Sequence, residues 1–226
     1  MTRPRSWWPD LGLLAAFVLL TALLAAGHLL SFDAWVADWA DAHRPAPLYW
    51  IARVLNYLGQ GGQVLMPVAI LLAAAAAWRT RSVRPFVVIA AAFVLTYLTI
   101  GPLKIWLQRA APHFDGPDRT VLFNDAAVGA LGMSYPSGHV ANALVWYWVI
   151  AYLAPAAVPR WAVRVLPPVI VFCTTTYLAF HWITDSVAGL FLGLVLTRLM
   201  ARVPWDTLPL PQFKPKAATD RRASPG

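Results

Sequence analysis

Apolar runs of membrane-spanning length recur through this chain, and no other feature limits its fold as much. A helix needs about 20 apolar residues to cross a hydrocarbon layer roughly 30 Å thick. Leu11 to Leu30 has that length and follows Arg3 and Arg5. It is longer than the usual core of a cleaved signal peptide, and more apolar segments follow, so it reads as a retained first span. Leu48 to Leu58 is short, closes at Gly59-Gln60-Gly61-Gly62, and reads as re-entry into a second span ending near Trp78. A third span runs from Pro85 to about Leu107, a fourth from Ser137 to near Pro155, a fifth from Val165 to Ile183, and a sixth from Asp185 to Met200. The expected fold is therefore all-α, a six-span transmembrane helical bundle over residues 1–203. Residues 204–226, rich in proline and cations, are expected to form a disordered basic cytoplasmic tail.

Charge distribution orients the bundle. Only 12% of residues are charged, about half the share usual in a globular chain. All ten acidic residues are aspartate, which excludes a solvated surface built on Glu–Lys pairs. The formal charge of +8 would suit nucleic acid, but most of it flanks the apolar spans, where lipid headgroups account for it. Arg3, Arg5, Arg79, Arg81, Arg84, Arg160, Arg164, Arg198, Arg202 and the tail cations Lys214, Lys216, Arg221 and Arg222 gather on one side. Arg44, Arg53, Lys104, Arg109 and Arg119 lie on the other, so the positive-inside rule places both termini in the cytoplasm and the long connections outside. Abundant Ala, Leu and Arg without Glu fits a bacterial inner membrane. Ser31 to Pro47 spaces Trp35 and Trp39 four apart and reads either as an interfacial helix or as a wet loop with two lipid-anchoring rings. Cys173 lies in an apolar run and is expected to be a small buried hydrophobe. Gly189 and Gly193 form a pair suited to close helix packing within the bundle or between copies.

Polar residues from separate parts of the chain meet at one boundary of this topology. Tyr135-Pro136-Ser137-Gly138-His139 opens the fourth span, and the free amides of a helix start attract phosphate or carboxylate. Lys104 closes the third span, and His181 and Asp185 bracket the turn between the fifth and sixth. Ionisable groups at membrane depth are costly and tend to be functional. His181 and Asp185 are four apart, a spacing that lets a carboxylate hold an imidazole in one tautomer for nucleophilic attack. The alternative is that Asp185 only caps the sixth helix while His181 reaches water. One His and one Asp do not fill a metal coordination sphere, so no metal and no cofactor is expected.

In order, these residues resemble the type-2 phosphatidic acid phosphatase superfamily, the membrane relatives of the vanadium haloperoxidases. The family pattern is a Lys followed after six residues by Arg-Pro, then Pro-Ser-Gly-His, then Ser-Arg followed after five residues by His-x-x-x-Asp. Lys104 with Pro112, Pro136 to His139, and His181 with Asp185 match it. The resemblance implies that His181 attacks phosphorus, Asp185 orients it, and His139 protonates the leaving oxygen. It also implies that Lys104, the Ser137 hydroxyl and the Gly138 amide hold the phosphoryl oxygens. The chain departs from the pattern at Ala111 and at Thr174-Thr175, where two arginines are missing. Losing one preorganised donor commonly costs about 2.7–4 kcal/mol of transition-state stabilisation, so a substitute is expected. Arg109 is the candidate to line the phosphate site, provided that the third helix has ended before it.

The expected activity is metal-independent hydrolysis of a lipid phosphate or polyprenyl (pyro)phosphate in the outer leaflet, through a phosphohistidine. Two alternatives keep the same site: a lipid phosphotransferase, and a non-catalytic member that binds anionic lipid.

Overall fold

The computed structural model describes residues 3–211. Within them the chain forms eight α-helices: α1 (Trp8–Ala25), α2 (Leu30–Ala42), α3 (Ala46–Asn56), α4 (Met66–Thr80), α5 (Arg84–Leu107), α6 (Gly138–Leu153), α7 (Arg160–Tyr177) and α8 (Ile183–Arg202). No strand occurs among the described residues.

α6 is apolar on every face, and such a helix is stable only where neighbours surround it. It occupies the middle of the bundle, with Val145, Trp146, Trp148 and Val149 buried and α4, α5, α7 and α8 packed about it. α1 lies against α8, where Asp10 is paired with Arg198 at 2.8 Å and with Arg202. α8 approaches α6 closely because Gly189 and Gly193 face it. A Cβ at Gly189 would lie 2.5 Å from the Ser137 carbonyl oxygen, and one at Gly193 would lie 2.9 Å from the Cα of Ala141. The Gly189–Gly193 pair thus packs within the bundle.

Among the described residues, four segments are long and apolar enough to cross a membrane: α1, the π-helical turn Gly61–Leu65 running into α4, α5, and α8. The other two expected spans differ in the element itself. α6 has 16 residues, and α7 has 18 with Pro167 and Pro168 inside it. α7 also begins at Arg160 and stops at Tyr177, so the expected range of Val165 to Ile183 is displaced toward the N-terminus. It stops because the chain turns through left-handed backbone at Ala179, leaving His181 and Trp182 in a tight connection.

Three further expectations change. Leu48 to Leu58 is not part of the second span but belongs to a separate helix, α3, which packs on α7 and ends in a 3-10 turn, Tyr57–Gly59. Cys173 lies on the exposed face of α7, since the buried face there is supplied by Val171, Thr174 and Thr175. The expected tail does not begin at Pro204. Trp205 is buried with its indole N–H donated to the Met200 carbonyl at 2.8 Å, and the amide of Val83 donates to the Pro211 carbonyl. The rest of that tail, 212–226, lies outside the described residues. The segment 31–47 is helical over α2. Phe32, Trp35 and Trp39 are exposed along it and Asp33 is wholly buried beneath.

Candidate active site

α5 ends at Leu107, and Gln108 turns the chain through left-handed backbone with φ 35°. The connection to α6 then folds back across the end of the bundle. Ser134 N donates to the Arg109 carbonyl at 3.0 Å, and Ala111 N donates to the Leu131 carbonyl at 2.8 Å. Ser137 is the N-cap of α6, its hydroxyl accepting from Val140 N at 3.4 Å while its own amide donates to the Asp185 carbonyl at 2.9 Å. That hydrogen bond holds the starts of α6 and α8 side by side, and His139 and His181 meet as a result.

The Nδ1 of His139 lies 3.3 Å from the Nε2 of His181, with the rings edge to face at 5.4 Å between centroids. Both line an open cavity of about 510 Å³ with Lys104, Ser134, Gly138 and Asn142. Lys104 Nζ donates to the carbonyls of Met133 and Ser134, the latter at 3.4 Å. Four lining residues, Gly61, Lys104, Gly138 and Asn142, also border a second cavity of about 320 Å³ between α4, α5 and α6. The polar pocket therefore continues sideways into a gap lined by Met66, Phe93 and Ile100.

Behind His181 lies a buried polar network. Its Nδ1 is 3.6 Å from Asp185 Oδ2, beyond a good hydrogen bond. The Ser134 hydroxyl occupies that gap, 3.2 Å from Nδ1 and 2.5 Å from Oδ2. Asp185 Oδ2 also accepts from the Trp182 amide at 3.0 Å, and its Oδ1 accepts from Arg109 Nη1 at 2.6 Å. Arg109 is completely buried and reaches Asp33 Oδ2 on α2 at 2.6 Å, the Thr184 hydroxyl at 2.8 Å and the Thr120 carbonyl at 2.8 Å. The guanidinium thus donates to two carboxylates, a hydroxyl and a carbonyl, all of them acceptors within the protein. Burial pushes the His181 imidazole below its ordinary range, against the pull of Asp185, so it rests neutral.

The structure brings Lys104, Gly138, His139 and His181 to the cavity wall and places Asp185 behind them. Two expected phosphate contacts are corrected. Ser137 is wholly buried, its hydroxyl accepts from the Val140 amide at 3.4 Å, and it is not among the residues that line the cavity. Arg109 turns inward because α5 has ended, but it stops behind Asp185 and lines no part of the cavity. Ala111 does line the cavity, whereas Thr175 is buried and donates to Asn56 Oδ1 at 2.9 Å. Sequence reasoning missed Ser134 and Asp33. Ser134 stands three residues before Ser137, beside a motif already singled out, whereas Asp33 carries no local signal and is found only through the fold.

Residues 85–209 match the family model described as the PAP2 superfamily. The chain is 25% identical over 188 residues to phosphatidylglycerophosphatase B of Bacillus subtilis (strain 168), covering 80% of this chain and 87% of that protein. Its fold is similar to the crystal structure of a transmembrane PAP2 type phosphatidylglycerolphosphate phosphatase from Bacillus subtilis, with a TM-score of 0.71 and 25% identity. That match covers 86% of this chain and 94% of the other.

Proposed function

Because the chain belongs to the PAP2 superfamily, we propose that it is an integral membrane phosphatase acting on a lipid phosphate or polyprenyl diphosphate through a phosphohistidine at His181. The observation that carries this reading is the approach of His139 Nδ1 to His181 Nε2 across a cavity that also receives Lys104. Ser134 and Asp185 stand on the Nδ1 side of His181, so Nδ1 carries the proton and donates to the Ser134 hydroxyl, which donates to Asp185. Nε2 is left with a free lone pair. In the resting site His139 donates its Nδ1 proton to that lone pair. A phosphoryl group entering between the rings meets the nucleophile on one side and, on the other, a proton aimed at the leaving alcohol oxygen. Nε2 bonds to phosphorus while His139, as the imidazolium, gives its Nδ1 proton to the departing ester oxygen and becomes neutral; it then takes a proton from water, whose oxygen bonds to phosphorus as the phosphorus–nitrogen bond breaks, returning the Nε2 lone pair to His181 and the charge to His139. Lys104 and the Gly138 amide stabilise charge on the phosphoryl oxygens.

The sideways continuation of the cavity between α4, α5 and α6 supports a substrate whose tail stays in lipid while its phosphate reaches Lys104. Phosphatidylglycerophosphate, named for the bacterial relatives, heads the candidate substrates, with phosphatidic acid and polyprenyl diphosphates beside it. We place six spans in the membrane, counting α6 and α7 with the four long apolar segments. α6 is short, about 24 Å by helical rise, because it starts at a recessed site and is surrounded by protein rather than lipid. The asymmetry of Lys and Arg supports cytoplasmic termini and a site facing outward. Purified protein in detergent with chelator should release phosphate from at least one of these lipids, and His181→Ala should release none. Undiminished release by that variant would overturn the mechanism.

A non-catalytic reading is favoured by one observation: among the described residues Lys104 is the only Lys or Arg lining the cavity. Binding of the same lipids with no turnover in either protein would establish it. Added alcohols that become phosphorylated would point to a transferase.

A further inference from the structure

A second polar cavity, of about 330 Å³, lies at the opposite end of the bundle from His181, between the end of α4, the starts of α5 and α7, and the end of α6. Arg84 opens α5 and Lys104 lies 20 residues further on, a separation of about 30 Å along the helix. The cavity is lined by three arginines, Arg79, Arg84 and Arg160, against one carboxylate, Asp206. Asp206 already accepts from the Tyr152 hydroxyl at 2.8 Å. Among the described residues none of the three arginines takes part in a salt bridge. Arg84 donates from Nη2 to the Leu208 carbonyl at 3.1 Å, yet its Nε is buried without an acceptor. A buried donor left unpaired is costly and marks a place where an acceptor can bind. The first residues of α5 and α7 both stand on this cavity, so the positive ends of two helix dipoles face it, although at α5 the Arg84 amide is already given to the Ser82 hydroxyl at 3.2 Å and Pro85 has none.

Cations that only orient a span need not converge. Arg81, on the same side, lies over the Trp78 ring at 5.0 Å and lines no part of this cavity, whereas Arg79 and Arg160, exposed like it, do line it. Arg79, Arg84 and Arg160 come instead from three elements to one concavity with a formal charge of +2 after Asp206 is counted. We propose that this cavity binds a phosphate group, supplied by an anionic phospholipid headgroup of the leaflet opposite the catalytic site or by free phosphate. The ligand would bridge α4, α5 and α7 and meet the segment 204–208. The inference does not depend on the phosphatase reading.

Native mass spectrometry of the full chain with dioleoylphosphatidylserine tests the lipid arm, and thermal unfolding in inorganic phosphate against chloride at equal ionic strength tests the other. Phosphatidylserine carries no phosphomonoester for His181 to attack. Arg84→Gln with Arg160→Gln should lower apparent affinity by roughly tenfold or more, the scale of losing charge-assisted hydrogen bonds. Arg81→Gln should bind as the parent does. Should the double variant fold poorly, Arg160→Gln alone removes a side chain with no hydrogen bond among the described residues and should shift affinity in the same direction. A shift in the lipid arm identifies a headgroup, and one in the phosphate arm alone identifies the free ion. Affinity in both arms that is unchanged by these substitutions, or altered equally by Arg81→Gln, would overturn the proposal.

Discussion

A carboxylate 3.6 Å from an imidazole nitrogen holds it weakly, and in this protein the Ser134 hydroxyl completes the connection between Asp185 and His181. Removing that hydroxyl leaves Asp185 facing a gap and His181 free to change tautomer. Ser134→Ala should lower kcat by about 10²-fold, the lower end of the range for a positioned proton-transfer group. KM should change little, because the substrate phosphate meets Lys104 and Gly138 instead, and Ser134→Thr should recover most of the loss. Loss confined to KM would contradict the relay. Burial also sets a pH dependence. It disfavours the imidazolium of His181, so the proton leaves at a lower pH than from a free imidazole. Carbethoxylation of His181, followed by peptide mass spectrometry, should therefore show its half-point below the ordinary value of about 6.5. A half-point above it would mean that Asp185 outweighs burial. His139, His181, Asp185 and Lys104 were legible in the sequence because their spacing follows a motif. The uses of Ser137 and Arg109 were not, since the hydroxyl that caps a helix and the guanidinium that meets carboxylates are decided by neighbours far away in the chain.

At the scale of elements, the buried cation Arg109 ties α2 to the start of α8. Asp33 accepts both from Arg109 and from the amide and hydroxyl of Thr184, so an amphipathic helix is joined directly to the residue before Asp185. Removing one partner of a buried ion pair leaves a charge without compensation, at a cost of about 3–5 kcal/mol. Arg109→Met strands two carboxylates, whereas Asp33→Asn keeps one acceptor and leaves the Arg109–Asp185 pair intact. Arg109→Met should lower Tm clearly more than Asp33→Asn in the same detergent; the reverse order would contradict a bridging role. Hydropathy located α5 and α8 to within about two residues because lipid or an apolar interior demands long uninterrupted runs, while the expected first span, Leu11 to Leu30, ran past the end of α1 at Ala25 to the first residue of α2. It misplaced α3 and α7, whose limits depend on the 3-10 turn at Tyr57–Gly59 and the left-handed turn at Ala179. Turn conformations of that kind carry no apolar period.

At the scale of the whole molecule, the two ends of the bundle differ in chemistry, with a recessed pair of histidines at one and a gathering of arginines at the other. If the bundle crosses the bilayer as charge asymmetry requires, a cysteine placed at Arg119, on Cys173→Ser background, should react with an impermeant maleimide added outside intact cells. One placed at Arg81 should react only after the membrane is opened, and the opposite pattern would invert the orientation. The central claim is that phosphorus passes through the Nε2 of His181. Reaction with a lipid labelled at phosphorus, quenched in alkali because phosphohistidine is lost in acid, tests it most directly. We predict label on the peptide carrying His181, cleared on further incubation and absent in His181→Ala; label on another residue, or hydrolysis by His181→Ala at the parent rate, would contradict it.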